Sequence, residues 1–523
     1  MTSPYLTGPG PDYDSGSGLG LEAASSPPGG MLPTGEGSTL LDADTVRHRT
    51  VASVLRLAGR EMAGRVLSLA GNVVLARLLE PSMFGLFAIG SFIISLFSLI
   101  GELGLGAAFI RSRKEVTDRE LNSLFTFQLA LSSVLGLLVF LLAPLVSWVY
   151  GEPDVEWVVR ALAITFVLTS LRSVPVVIAE RQLSYGPVAI SDLAGQTAYW
   201  VVASAAAFGG LKVWSLVLAV LVSGLTSTIA LYLRTSWRPA FQFDWRSLRQ
   251  SMRFGVLYQT QGVVHFVKDM MIPALGGVTY GGTAVGYAVW AQQVAAVPLQ
   301  LTHLVSRVSY PALSHLQDDR EQFARMVEVT LKWTARLTLP AFAVLAGLAP
   351  QIVLYVFGAK WLPAVPTLYL LIINMIMGIG TGVFVPALYS MGSAARALRI
   401  AAVWASLTWL AALGLYVAGV GFEALAVAYV VGTGIALAAL ILALRELGGI
   451  GLLKGVVAPL ASGLVVATAL YLAAPALVNN LAMLAVVAVV GGTLCLAINL
   501  WADRHTVLAT LRNTMQGAKI RRA

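Results

Sequence analysis

The sequence is poor in charged residues. Only 12% of its 523 residues are Asp, Glu, Lys or Arg, whereas 57% are hydrophobic. Soluble domains carry roughly 25% charged residues. The mean hydropathy is +0.78. This composition argues against an ordinary soluble enzyme and predicts an all-α integral membrane protein, because long apolar segments cross a bilayer as helices.

Signatures of common chemistry are also missing. The single cysteine, Cys495, cannot form an intrachain disulfide. There is no Walker A sequence, no HExxH, no nucleophile elbow and no Cys/His spacing typical of a metal site. We therefore expect no enzyme activity and no cofactor. The net charge of +9 does not predict nucleic-acid binding, because the basic residues lie mostly between hydrophobic runs.

Hydrophobic runs of about 20 residues, the length that a membrane-crossing helix needs, recur along the chain. We count fourteen candidate spans, and their approximate limits are 57–79, 84–108, 122–148, 156–178, 187–208, 212–233, 254–273, 284–308, 329–348, 364–388, 396–418, 422–444, 453–473 and 479–501.

The segments outside the spans predict the orientation. Residues 1–45 are rich in Gly, Pro, Ser and Thr without hydrophobic periodicity, which indicates a disordered tail. Residues 502–523 form a basic tail. If both tails are cytoplasmic, Lys and Arg concentrate in the inner segments. The outer segments then hold only four basic residues, Arg77, Arg160, Lys212 and Lys360. We therefore expect a multi-pass protein of the cytoplasmic membrane, with both termini inside.

The chain contains an internal repeat. Segments 141–162 and 347–368 both carry Ala-Pro, an aromatic-Gly turn and a Trp, and Val-Pro follows in the next span of each half. The loop 117–125 has a counterpart in 318–326. The repeat predicts two pseudo-symmetric six-helix lobes around a central cavity. The lobes would be residues 46–233 and 234–444, with two further helices in 445–501.

Polar residues mark one face of the first span in each half. On the seventh span this face holds Tyr258, Gln261, His265, Lys268 and Asp269. On the first span a stripe with spacings of four, three and four holds Glu61, Arg65, Ser68 and Asn72. Ionisable groups at membrane depth usually face a bundle interior or water. The two stripes therefore predict a shared polar cavity.

Several of these residues could also have a purely structural role, with no part in a cavity. Arg65 could reach lipid phosphates at the interface. Lys268 and Asp269 are about 100° apart on a helix and could each pair elsewhere. His265 could relay protons or serve as a hydrogen-bonded structural residue. The amides on later spans, Gln292, Gln293, Gln300 and Asn374, are more often partners in hydrogen bonds between helices.

Several segments together resemble a known family. They are ARLLEPSMFGLFA (76–88), GELGLGAAFIRSR (101–113), VKDMMIPALGG with the following GYA (267–288), VSRVSYPALSHLQDDRE (305–321) and APQIVLYVFGAKWLPAVP (349–366). As a set, they are similar to the polysaccharide transporter (Wzx-like oligosaccharide flippase) branch of the multidrug/oligosaccharidyl-lipid/polysaccharide flippase superfamily. The similarity runs from about residue 50 to residue 400.

This resemblance implies a function for the predicted cavity. Members of the family flip polyprenyl-diphosphate-linked oligosaccharide repeat units across the cytoplasmic membrane by alternating access, for surface polysaccharide biosynthesis. Arg65 and Lys268 would then hold the diphosphate, and Glu61 and Asp269 would tune or relay charge. Asn72, Tyr258 and Gln261 would line the sugar path. Coupling to H⁺ or Na⁺ is possible, and a glycan polymerase and glycosyltransferases are expected neighbours.

Three alternatives remain open from the sequence. A lipid II-type flippase would also use a basic cavity. A cation-coupled multidrug extruder of the same superfamily would need a more acidic, aromatic cavity. A membrane scaffold that binds glycan-assembly enzymes without transport would not depend on charges in the cavity at all.

Overall fold

The fold is a bundle of long helices. The computed structural model describes residues 64–65, 67–102, 109, 116–182, 184–245, 263–264, 266–302, 313, 316, 319–445 and 454–502, and every regular element in these ranges is helical. Within them, nine helices are long and apolar enough to cross a membrane, or ten if one bent pair forms a single span. The predicted all-α membrane architecture is confirmed, whereas the number fourteen stays a prediction.

The described helices follow the predicted spans in chain order. They are α1 (Leu67–Leu78), α2 (Pro81–Glu102), α3 (Asp118–Tyr150), α4 (Pro153–Arg181, interrupted at Ala163), α5 (Tyr185–Phe208), α6 (Trp214–Tyr232), α7 (266–276), α8 (Gly277–Ala296), α9 (Arg320–Gly347), α10 (Val365–Ser390), α11 (Ala394–Val417), α12 (Glu423–Arg445), α13 (Lys454–Leu477) and α14 (Leu481–Ala502).

Side-chain caps make two helices begin earlier than predicted. The Asp319 carboxylate accepts the N–H groups of Glu321 and Gln322 at 3.1 and 3.0 Å, so α9 begins well before residue 329. The Gln322 N–H also holds the pKa of Asp319 below its ordinary value. Thr117 and Glu120 form a capping box at the start of α3. The repeated segments 117–125 and 318–326, predicted as loops, are therefore mostly first turns of helices.

The aromatic-Gly turns of the repeat are present in both halves. Gly151 has φ 66° and Gly358 has φ 107°, values that L-residues rarely adopt. The Ala-Pro pairs behave differently. Pro144 lies inside α3, whereas the chain bends by 73° between α9 and the next helical segment, which starts with Ala349-Pro350. Proline fits a first helical turn because its missing N–H has no partner there.

The seventh predicted span extends beyond its predicted end at residue 273. The helical backbone continues through residue 276 into the first residues of α8, and Gly281, with φ of 79°, kinks α8 there. We call this kink the α7/α8 junction. The kink leaves the Gly282 N–H without a helical acceptor, and the Glu152 carboxylate accepts it at 3.1 Å. The α3/α4 junction is thus bonded to the α7/α8 junction.

Five of the connections between successive helices lie at the same end of the bundle. Trp361 donates its indole N–H to the Ala76 carbonyl at 2.8 Å, and Tyr280 donates its hydroxyl to the Val420 carbonyl at 3.0 Å. We call this region the closed end; it consists of the α1/α2, α3/α4, α7/α8, α9/α10 and α11/α12 junctions. Helices from both predicted lobes are in contact there.

Aromatic side chains fill the core of the closed end. Trp290 and Trp361 are fully buried and stack with ring centroids 4.7 Å apart. Phe84 of α2 meets Trp361 edge-on at 5.3 Å, and Phe357 meets Trp290 edge-on at 5.0 Å. Large rings in these geometries contribute packing energy beyond their area burial. The α2, α8 and α9/α10 segments are thereby packed together.

Glycines allow α2 and α8 to approach closely at this end. A Cβ on Gly85 would lie 1.7 Å from the Gly282 carbonyl oxygen, and one on Gly286 would lie 1.8 Å from the Pro81 carbonyl oxygen. Gly282 and Gly286 have the G-x-x-x-G spacing that brings membrane helices into backbone contact.

We expect Gly286→Ala to destabilise the protein by about 1–3 kcal/mol or more, because the new methyl group must push α2 away from α8. The measurement is thermal unfolding of the purified protein in detergent. Gly382→Ala is the matched control, since no heavy atom lies within 4 Å of its Cβ position. Equal melting temperatures for the two variants would contradict this account of the crossing.

Candidate functional site

Polar side chains of α1, and that of Arg65 just before it, contact α8 and the 3₁₀ turn that follows α8. Arg65 donates from Nη1 to the Gln300 carbonyl at 3.0 Å, and Asn72 donates from Nδ2 to Gln293 Oε1 at 2.9 Å. The Gln300 carbonyl lies where the helix tightens into a 3₁₀ turn over Val297–Leu301 and ends its regular hydrogen bonding. We call this set, Arg65, Asn72, Gln293 and Gln300, the α1–α8 seam.

The same stripe of α1 also reaches α5. Gln196 donates from Nε2 to the Ser68 hydroxyl at 2.9 Å, and that hydroxyl donates to the Gly64 carbonyl at 3.0 Å. Residues of the predicted stripe are therefore hydrogen-bonded to both neighbouring helices, α5 and α8. The interpretation of Gln293 as a partner in a hydrogen bond between helices is confirmed, and so is that of Asn374, which accepts from Thr433 at 2.6 Å.

Exposed polar groups within the helices indicate a wet space. Gln293 of α8 is exposed, and the Asp269 side chain of α7 is 52% exposed. Acyl chains cannot hydrogen-bond an amide or solvate a carboxylate, and the cost is several kcal/mol on most scales. These side chains therefore meet water, as a polar cavity between the helices would provide.

Lys268 lies in a second polar cluster. Its Nζ pairs with the Asp269 carboxylate and lies 4.4 Å from the centroid of the Trp404 ring on α11. Only 14% of the Lys268 side chain is exposed. The two neighbours, which could each have paired elsewhere, pair with each other, because the long lysine side chain bends back to the adjacent carboxylate. We call Lys268, Asp269, Trp404 and Tyr429 the Lys268 cluster.

Proline explains why the backbone under this cluster needs partners from other helices. Pro273 has no N–H, so the Asp269 carbonyl has no helical donor four residues on. The backbone widens into a π-helical turn over Ile272–Gly276. The Tyr429 hydroxyl lies 3.1 Å from both the Lys268 and Asp269 carbonyls and donates to them. The chain at Lys268 is thereby fixed to α12.

The predicted site residues fall into two groups. Arg65 and Asn72 lie in the α1–α8 seam, and Lys268 and Asp269 lie in the Lys268 cluster. Among the described residues, no hydrogen bond or ion pair connects the two groups. The other four predicted residues, Glu61, Tyr258, Gln261 and His265, lie outside the described residues. The eight-residue cavity assignment therefore stays a prediction.

One charged pair was missed by the sequence reasoning. Arg172 of α4 forms an ion pair with Asp192 of α5, and its guanidinium also lies 3.4 Å from the Ser191 hydroxyl. Each residue is a charge inside a predicted span, 156–178 or 187–208. A charge at membrane depth needs a partner or a function. This rule singled out Lys268, and it would also have singled out Arg172 and Asp192.

A polar latch crosses the closed end. Lys360 Nζ lies 3.6 Å from Glu80 Oε1 and donates to the Arg77 carbonyl at 3.0 Å. In the opposite direction, Arg77 donates from Nε to the Val356 carbonyl at 2.7 Å and also bonds the Tyr355 carbonyl. The latch joins the α1/α2 junction to the α9/α10 junction, one from each predicted lobe.

The sequence matches a known family over most of this framework. A family described as "Polysaccharide biosynthesis protein" matches residues 74–366, more than half of the chain. The chain belongs to this family. The matched region begins within α1 and ends at the start of α10, so it contains the seam residues of α8, the Lys268 cluster's α7 residues and the latch.

Two curated relatives carry transport or polysaccharide names. Lipopolysaccharide biosynthesis protein WzxC of Escherichia coli (strain K12) is 26% identical over 60% of this chain and 64% of its own length. Succinoglycan biosynthesis transport protein ExoT of Rhizobium meliloti (strain 1021) is 24% identical over 62% of this chain and 65% of its own. The match thus spans slightly less than two thirds of each relative.

A solved structure shares the fold. The structure titled "Lipid II flippase MurJ, inward closed conformation" superposes with a TM-score of 0.71 over 87% of this chain and 100% of that one, at 14% identity. This similarity concerns the fold alone. The family match confirms the resemblance found in the sequence, and the shared fold agrees with the helical architecture predicted from the hydrophobic runs.

We expect the Arg172–Asp192 pair to stabilise the α4–α5 contact by roughly 0.5–1 kcal/mol, because both side chains retain some exposure to solvent. A double-mutant cycle with Arg172→Gln and Asp192→Asn, read by thermal or chemical unfolding, measures this coupling. The exposed i,i+4 pair of Glu321 and Arg325 is the control, with a smaller expected coupling. Zero coupling for Arg172 and Asp192 would contradict the assignment.

Proposed function

We propose that the protein is a flippase that moves polyprenyl-diphosphate-linked oligosaccharide repeat units across the cytoplasmic membrane by alternating access. It would act in surface polysaccharide biosynthesis and would not be an enzyme. The observation that carries the proposal is the α1–α8 seam, where the Arg65 guanidinium, the half-buried Asn72 amide and the exposed Gln293 amide line the contact between helices of the two predicted lobes. The family match supports the same conclusion.

The chemistry of the seam suits such a substrate. Among the described contacts, Arg65 is held by a neutral carbonyl, so its charge remains available to an anion. A guanidinium in a poorly solvated site forms short, charge-assisted bonds to phosphate oxygens. Asn72 and Gln293 offer donors and acceptors of the kind that sugar hydroxyls need. The diphosphate would bind Arg65 and the sugars would lie along the amides.

Lys268 would act through exchange of its partner. Its ammonium is paired with Asp269 in this state, so a diphosphate would have to replace that carboxylate. The exposed Asp269 would then be released to water or would bind a proton or Na⁺. This exchange is one way in which substrate binding and a cation gradient would be coupled in the proposed cycle.

The closed end would face outward. The proposed orientation, with both termini cytoplasmic, places the latch and the aromatic core on the outer side. Export then requires that the Lys360–Glu80 and Arg77 contacts break while the two halves separate. Neighbouring glycan polymerases and glycosyltransferases would take up the flipped unit.

Removing the proposed anion-binding charges should abolish export. In a deletion strain, we expect one surface polysaccharide to disappear and its lipid-linked repeat unit to accumulate on the cytoplasmic side. Wild-type protein should restore export, whereas Arg65→Ala and Lys268→Ala should not, although both accumulate in the membrane. Extracted polyprenyl-linked sugars and surface glycan are measured. Arg325→Ala, which removes an exposed arginine outside both clusters, should restore export fully.

Other results would support other functions. Unchanged lipid-linked sugars together with greater sensitivity to cationic drugs would indicate an extruder. Accumulated lipid II would indicate a lipid II-type flippase. Full export from both alanine variants would contradict the roles of Arg65 and Lys268. Loss of export only on removal of the tails would favour a scaffold.

Locking the closed end should stop transport. With Cys495→Ala as background, Glu80→Cys and Lys360→Cys are joined by a short cleavable bis-maleimide. We expect export to cease on cross-linking and to resume after the linker is cleaved, because the latch can then open again. A cross-link between Glu321→Cys and Arg325→Cys, within one helix, is the control and should have no effect. Continued export with Glu80→Cys and Lys360→Cys fully cross-linked would exclude opening at this end.

A further inference from the structure

A groove runs along the contact between α11 and α12. Its volume is about 500 Å³, within the range of small-molecule sites. Its walls are aliphatic apart from two basic residues, and the lining residues are Arg396, Arg399, Ile400, Val403, Ile435, Ala436, Ala439, Leu442 and Ala443. The alanines of α12 leave space that larger side chains would fill, so the groove is a depression between the helices.

The arginines lie at one end of this groove. Arg396 and Arg399 are on the first turns of α11, three residues apart and hence on one face. The other end of α11 leads to Val420, which is bonded at the closed end. The arginines therefore lie at the opposite end of the bundle. Arg445, the last residue of the antiparallel α12, belongs to the same end.

Apolar side chains extend from these arginines toward the middle of the bundle. Val403 is 53% exposed, Ile435 is 43% exposed and Leu442 is 60% exposed. A molecule that complements the whole groove is therefore apolar over most of its length and anionic at one end. A soluble anion would complement only the basic end, and an uncharged lipid would complement only the apolar walls.

We propose that the α11–α12 groove binds an anionic phospholipid, with its phosphate on Arg396 and Arg399 and an acyl chain between α11 and α12. Basic residues at a membrane surface attract anionic lipids, and guanidinium groups bind phosphate oxygens in a bidentate manner. The site is separate from the α1–α8 seam and from the Lys268 cluster, and it does not depend on the proposed transport function.

Lipid titration of the purified full-length protein tests this proposal. Phosphatidylglycerol or phosphatidylcholine is added to the protein in detergent, and bound lipids are counted by native mass spectrometry. We expect tight binding of one phosphatidylglycerol. Arg396→Gln and Arg399→Gln should each lower the affinity for phosphatidylglycerol by about fivefold. Arg320→Gln with Arg325→Gln, two exposed arginines at the start of α9, is the charge-matched control and should bind like wild type.

A second variant tests the apolar part without changing charge. Ala439→Phe should fill the groove and weaken phosphatidylglycerol binding, while gel filtration and the melting temperature show that the fold is intact. Equal losses from the α9 control pair would overturn the proposal, because they would indicate nonspecific attraction of anionic lipid. Equal affinity for phosphatidylcholine, full competition by inorganic phosphate or undiminished binding to folded Ala439→Phe would overturn it as well.

Discussion

The structure depends on the rule that polar groups within a membrane bundle must be paired or must reach water. Three charged side chains among the described residues follow it. Arg65 bonds a helix-end carbonyl, Lys268 pairs with its neighbouring carboxylate, and Arg172 pairs with Asp192 on the next helix. The contacts of Arg65 and Arg172 lie between helices, so they satisfy the polar groups and also help determine which helices are neighbours.

Proline adds to this requirement for partners. Pro273 removes the donor that the Asp269 carbonyl would use, and a tyrosine of α12 replaces it. The backbone at Lys268 is consequently fixed by another helix instead of by its own. The Tyr429 hydroxyl therefore connects the backbone that carries Lys268 to α12.

The closed end and the polar clusters have different kinds of stabilisation. Close packing of rings and glycine backbone holds the closed end, together with the exposed contacts of the latch and the buried hydrogen bond from Trp361 to the Ala76 carbonyl. Packing of this kind is short-ranged, so it is lost at once when surfaces separate.

The sequence by itself determined the class of protein and the positions of most described helices, and it singled out Arg65, Asn72, Lys268 and Asp269, which make polar contacts, because hydropathy and helical periodicity are local properties. It also located the aromatic-Gly turns. It misplaced the starts of α3 and α9, where capped polar turns resemble loops, and it missed Arg172 and Asp192. Only the tertiary structure decided the partners between helices: Lys268 with Trp404, Asn72 with Gln293, and α2 against α8 through glycine. Partner choice depends on which helices are adjacent and how they are rotated, and neither is encoded within a single span.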